Sequence, residues 1–138
     1  MTTNTVKNLN SGLCPLYMCR PSAGFPAPGD DMVEQTLNVH DLVVKNPSAT
    51  FFVRVAGDSM EGAGIFDGDV LVVDRSVSPT VGRIVVVAVA GEMVVKILGG
   101  TASKPLLVSA NDNYEPIAIT ADSECCVWGV VVGSVRVF

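Results

Sequence analysis

A mostly β fold is predicted for this chain by three observations. Val-rich runs recur from residue 51 to the C-terminus, turn groups built on Gly, Asn, Asp or Pro separate them, and a single short segment carries a helix signal. The chain has 138 residues, 49% of them hydrophobic and 17% charged, which suits one domain with a buried core and excludes global disorder. Short strands at this spacing predict a sandwich or a partly open barrel.

Residues 1–30 hold Pro15, Pro21, Pro26 and Pro28, half of the eight prolines, with Gly12, Gly24 and Gly29. Neither a helical nor a strand period survives there, so the segment reads as an extended, mobile N-terminal arm, and 31–138 as a β-rich domain. Asn38 is an N-cap for a short helix, with Asp41 at the third helical position, Leu42 and Val43 facing inward and Pro47 enforcing the stop. Strands follow at Phe51–Ala56, Val70–Asp74, Ile84–Ala90, Met93–Leu98, Leu106–Ala110 and Val127–Phe138, between turn groups such as Asp67-Gly68-Asp69, Ala90-Gly91-Glu92 and Asn111-Asp112-Asn113. Gly91 joins two Val-rich runs, which makes 84–98 a hairpin.

The formal net charge of −5 argues against direct DNA or RNA binding, since phosphate recognition needs a basic surface. No run reaches the roughly 18 apolar residues of a membrane span, and the first ten residues lack the apolar stretch of a secretory signal, so a cytoplasmic location is expected. Cys125 and Cys126 are adjacent, Cys14 and Cys19 lack CxxC spacing, and His40 is the single histidine. Reduced thiols and no bound metal or cofactor are therefore expected.

Three features point to chemistry. Ser59 lies in Gly57-Asp-Ser-Met-Glu-Gly-Ala-Gly64, just after a strand. Glycines there permit tight backbone and close approach of another chain, so Ser59 is either a turn serine or an exposed nucleophile beside amide donors. Lys96 lies in Met93-Val-Val-Lys-Ile-Leu98, a strand apolar on both faces. Either its head snorkels into solvent, or desolvation lowers its pKa by roughly 3 units towards that of a general base. Together the two suggest Ser–Lys nucleophilic catalysis. His40, next to Asp41, is the rival base but reads as a surface histidine. The third feature is Ala23-Gly24, a small dipeptide in an extended segment that suits a protease cleft, or else a plain linker. At roughly 3.3 Å per extended residue, the intervening chain is long enough to bring it to Ser59.

These elements, in this order, resemble the UmuD/LexA family of self-cleaving Ser–Lys proteins. Gly24-Phe-Pro-Ala-Pro28 resembles the family's segment after the cleaved bond. Asp31–Gln35, Asn46–Val53, Gly57-Asp-Ser59-Met60, Gly64–Asp74, Val94-Val-Lys96 and Gly129-Val-Val131 resemble its later blocks, so the likeness spans roughly residues 14–138. The resemblance implies a Val-rich β domain of the LexA/UmuD C-terminal type that dimerises. It implies Ser59 as nucleophile, Lys96 as neutral general base and Ala23–Gly24 as the scissile bond; Arg20 follows Cys19, so Cys19–Arg20 is not the site. The backbone amides of Asp58 and Ser59 are the expected oxyanion donors. It further implies activation by a RecA nucleoprotein filament after DNA damage, and a shortened homodimer serving a UmuC-like Y-family translesion polymerase.

About 23 residues before the bond are too few for a helix-turn-helix domain, which favours the polymerase-accessory reading over a LexA-like repressor fragment. A signal peptidase would need a membrane anchor and typically a Pro where Gly62 stands, and a GDS esterase needs a C-terminal histidine that this sequence lacks. A non-catalytic scaffold for a polymerase remains the alternative of a different class.

Overall fold

A computed structural model describes residues 12–18 and 33–138. The chain divides into two units, with the boundary between Lys45 and Asn46. In the first, strand β1 (Leu13–Tyr17) pairs antiparallel with β2 (Val33–Asn38), Leu13 opposite Asn38 and Cys14 opposite Leu37. The sequence reading allowed no strand before residue 30. The apolar run Leu13–Tyr17 has no period of two, and Pro15 argues against a central strand. In a two-stranded ribbon both strands are edges, and an outward-facing proline costs no ladder hydrogen bond.

Asn38 caps a single-turn helix α1 (Val39–Val43), its side-chain oxygen accepting from the Asp41 amide at 3.3 Å. Leu42 is 50% exposed, contrary to the inward orientation expected for Leu42 and Val43. Successive helical residues point about 100° apart, so a helix this short does not turn both neighbours to one core. Pro47 opens a 3₁₀ turn (Pro47–Ala49), consistent with a helix that stops before it.

The second unit is built on one antiparallel sheet of seven strands. In chain order these are β3 (Thr50–Arg54), β4 (Val70–Asp74), β5 (Ile84–Val89), β6 (Glu92–Gly100), β7 (Pro105–Val108), β8 (Ile117–Ala118) and β9 (Cys125–Val135). Their spatial order is β3-β4-β9-β5-β6-β7-β8. All but β8 fall on strands read from the sequence, β4 with the same bounds and the others with ends shifted by at most three residues; β8 is only two residues long, too short for a periodic signal.

The Val-rich runs are explained by burial on both faces of the sheet. Leu71, Val73 and Val86 pack with Val55, Met60 and Ile65 on one side, whereas Val85, Val87, Leu107 and Val130 form the core of the other. A strand covered on both sides has no polar face, so β5 reads as a continuous apolar run. The β5–β6 hairpin closes through Ala90 and Gly91, both with positive φ (50° and 84°) and with Val89 opposite Glu92. Two left-handed residues match the strands' own twist, so this two-residue loop preserves the register.

Strand β9 carries two irregularities, opposite Val72/Val73 of β4 and opposite Val86/Val87 of β5. They leave Val132 and Trp128 as extra residues, both 42% exposed. Bulges add local twist. The chain leaving β3 meets the end of β7, where the Gly62 amide donates to the Ala110 carbonyl at 2.7 Å.

Candidate active site

Ser59 lies in the turn leaving β3, and polar bonds hold that turn on several sides. The Gly57 amide donates to Asp67 Oδ1 at 2.8 Å. The Asp58 carbonyl accepts from Asn111 Nδ2 at 3.0 Å, and its carboxylate from the Tyr114 hydroxyl at 2.5 Å. Two residues beyond Met60, a Cβ on Gly62 would sit 2.5 Å from the Ala110 carbonyl oxygen, so glycine is what lets the two backbones touch. Farther along, buried Asp69 accepts from Arg136 Nε and Nη2, each at 2.8 Å, and from the Phe66 amide. These hydrogen bonds hold the Asp69 carboxyl at a pKa of about 2, below the ordinary 3.8. Arg136 also donates to the Gly64 carbonyl and stacks on Phe66, tying the end of the chain to the loop that follows Ser59.

Lys96 is placed by the sheet. It lies opposite Val85 of β5, and on its other side the last β6–β7 pair, Ile97–Val108, brings the next residue, Ser109, within reach of its side chain. Its side chain is buried, 7% exposed. Nζ donates to Ser109 Oγ at 2.6 Å and lies 5.1 Å from the centre of the Tyr114 ring. Desolvation by burial pushes the Lys96 pKa below its ordinary value, in the direction a general base needs.

Ser59 and Lys96 line the same cleft, about 370 Å³ in volume, together with Val53–Asp58, Met93–Val95 and Tyr114. Two segments far apart in sequence thus bring a hydroxyl and an amine to one cavity. Among the described residues the backbone amides of Asp58 and Ser59, and the Ser59 hydroxyl, donate to no protein acceptor. Ala23 and Gly24 lie outside the described residues, as does Cys19. His40 is on α1, its side chain 62% exposed and 3.5 Å from the Asp41 carboxylate. Cys14, Cys125 and Cys126 are free thiols.

Ser109, Tyr114 and Asn111 are constituents of the site that sequence reasoning did not single out. Asn111 was visible only as part of a turn group, and Ser109 becomes a neighbour of Lys96 only once the β6–β7 register is known. Among the described residues no helix is long and apolar enough to cross a membrane, and no group of three or more His, Cys, Asp or Glu side chains is arranged to hold a metal ion.

A serine in a glycine-rich turn and a desolvated lysine lining one cleft define a candidate serine peptidase of the Ser–Lys kind. Residues 15–132 match the Peptidase S24-like family, a family of self-cleaving serine peptidases, and the chain belongs to it. It is similar to Protein MucA of Salmonella typhimurium, 46% identical over 121 residues that cover 87% of this chain and 82% of the relative. It is likewise similar to Protein ImpA of Shigella flexneri, at 40% over 117 residues, 85% of this chain and 79% of the relative. A LexA repressor from Alcanivorax borkumensis is 39% identical over 115 residues, 83% of this chain and 55% of the repressor. The UmuD/LexA resemblance read from the motifs therefore holds.

Proposed function

We propose that this protein cleaves its own Ala23–Gly24 bond by a Ser59/Lys96 mechanism. The observation that carries the reading is the shared cleft, in which Lys96 is buried and its amine biased towards the neutral form. Neutral Lys96 Nζ takes the Ser59 hydroxyl proton as Oγ attacks the Ala23 carbonyl carbon. The resulting oxyanion is met by the amides of Asp58 and Ser59. As the C–N bond breaks, the Lys96 ammonium returns the proton to the Gly24 nitrogen, and water then hydrolyses the acyl-serine.

The likeness to Protein MucA and Protein ImpA supports a UmuD-type role in the SOS response to DNA damage. In that role a RecA nucleoprotein filament stimulates cleavage, and the shortened homodimer serves as accessory subunit of a UmuC-like Y-family translesion polymerase. In this reading the activator acts by favouring the population in which the Ala23–Gly24 bond is docked at Ser59.

Intact mass is measured after incubation near pH 10, and separately with RecA, single-stranded DNA and a nucleotide. Fragments ending at Ala23 and beginning at Gly24 are expected in both arms, and neither is expected from Ser59→Ala or Lys96→Ala. Because the base must be unprotonated, the unassisted rate should rise with pH to a midpoint below the 10.5 of an ordinary lysine. Parent-rate cleavage by Lys96→Ala would remove it as the base. An unchanged mass in every arm would favour the scaffold alternative.

A further inference from the structure

A lysine that accepts a proton needs more than a lowered pKa. Its amine ends a four-carbon stem with several rotatable bonds, and the nitrogen lone pair must face the serine hydroxyl. Burial restricts the stem of Lys96 but leaves rotation about the last carbon free. A fixed acceptor for one of the amine's N–H groups removes that freedom, and the neutral amine still has such an N–H to donate.

The hydroxyl of Ser109 stands where such an acceptor is needed. It lies 2.6 Å from Nζ, on the residue that follows the end of β7, next to the last β6–β7 pair Ile97–Val108. It is the only hydrogen-bond acceptor that Nζ uses among the described residues. The Tyr114 ring centre lies 5.1 Å from the amine, and the charged residues lining the same cleft are Asp58 and Arg54. Asp58 is engaged by the Tyr114 hydroxyl and Arg54 donates to the Gly68 carbonyl. Glu61 acts on Tyr114, whose pKa is raised chiefly by its hydrogen bond to Asp58.

We propose that Ser109 is a positioning residue for Lys96, holding one amine N–H so that the lone pair is presented to Ser59. The inference rests on the Ser–Lys reading above and adds a third side chain to it. In the resting protein the same hydroxyl accepts from the ammonium form. It therefore favours the charged state and sets a floor under the fall in pKa caused by burial.

Two readouts separate this role from a structural one. In the full-length chain, Ser109→Ala should lower the plateau cleavage rate about tenfold and move the midpoint of the pH–rate profile down by about one unit, since the ammonium loses its acceptor. Ser109→Thr should restore both values. Ser109→Val, which has the shape of threonine without its hydroxyl, should behave like the alanine variant, so a packing defect affects Thr and Val alike and is recognised as such.

The second readout does not depend on cleavage. In a Ser59→Ala background, the Lys96 amine is titrated by NMR of ¹³Cε-labelled lysine and assigned with Lys96→Arg. Its midpoint should fall on adding Ser109→Ala or Ser109→Val, but not Ser109→Thr. Equal midpoints with and without the hydroxyl would overturn the proposal even if the parent never cleaves. Loss of cleavage on Ser59→Ala with an unaltered Ser109→Val profile would overturn it while leaving the Ser–Lys reading intact.

Discussion

The nucleophile candidate and the base candidate are held by different physics. Ser59 occupies a turn held by polar bonds from Asp67, Asn111, Tyr114 and the Ala110 backbone, several of them at the surface. Lys96 is held by β-sheet register and apolar burial, with one polar bond at its tip. A turn held by polar bonds can be displaced while the sheet stays folded. A strand residue cannot be moved without disturbing the core around it. The chemistry is therefore expected to be most sensitive on the Ser59 side and the fold most sensitive on the Lys96 side.

The sharpest way to break this contrast is Gly62→Ala. The new Cβ would meet the Ala110 carbonyl oxygen at 2.5 Å and force the Ser59 turn away from the β7 end. Self-cleavage should fall on the order of 100-fold, as expected for a misplacement near 1 Å. The sheet should survive with a loss of about 1–3 kcal/mol, read by urea denaturation. Equal loss of cleavage and folding would show that turn and sheet are not separable.

Asp69→Asn tests the Arg136 clamp behind the turn. Asp69 is ionised above its unfolded pKa of 3.8 and titrates at about 2 when folded. Its contribution is thus complete above pH 4 and fades as pH falls from there towards 2. The variant should melt below the parent at pH 7, and the gap in Tm should narrow towards pH 2. A gap that does not vary with pH would mean that the carboxylate's charge is irrelevant to the clamp.

Tyr114→Phe removes the hydroxyl on Asp58 while keeping a ring beside Lys96. Cleavage should fall by roughly 3- to 10-fold with the pH midpoint unmoved, because the hydroxyl steadies the turn rather than the amine. A shifted midpoint would instead make Tyr114 part of the environment that tunes Lys96. The smallest effect is expected at Ala90→Asn in the β5–β6 loop, where φ is 50°. Asparagine tolerates the left-handed region better, so stability should rise by about 1 kcal/mol with cleavage unchanged.

Much of this could be read locally. Valine runs, turn residues and the Asn38 cap act over a few positions, and each appears in the structure close to where it was expected. Ser59 and Lys96 stand out as candidates for the same reason: a glycine-rich turn and an ionisable group on an apolar strand are unusual in their immediate neighbourhoods. The β1 strand escaped notice because its apolar run has no alternation and contains Pro15. Leu42 was misassigned because a one-turn helix has no face long enough to define.

By itself, then, the sequence determined most of the segments of the second unit that extend, where they turn, and which two side chains are the candidates for chemistry. The strand order β3-β4-β9-β5-β6-β7-β8, the irregularities at Trp128 and Val132, and the meeting of Ser109, Tyr114 and Asn111 with Lys96 and Asp58 were decided only by the tertiary structure. Strand propensity is written in neighbouring residues. Pairing and register depend on which distant strands bury each other's faces, and no local pattern around Ser109 records that it will meet a lysine.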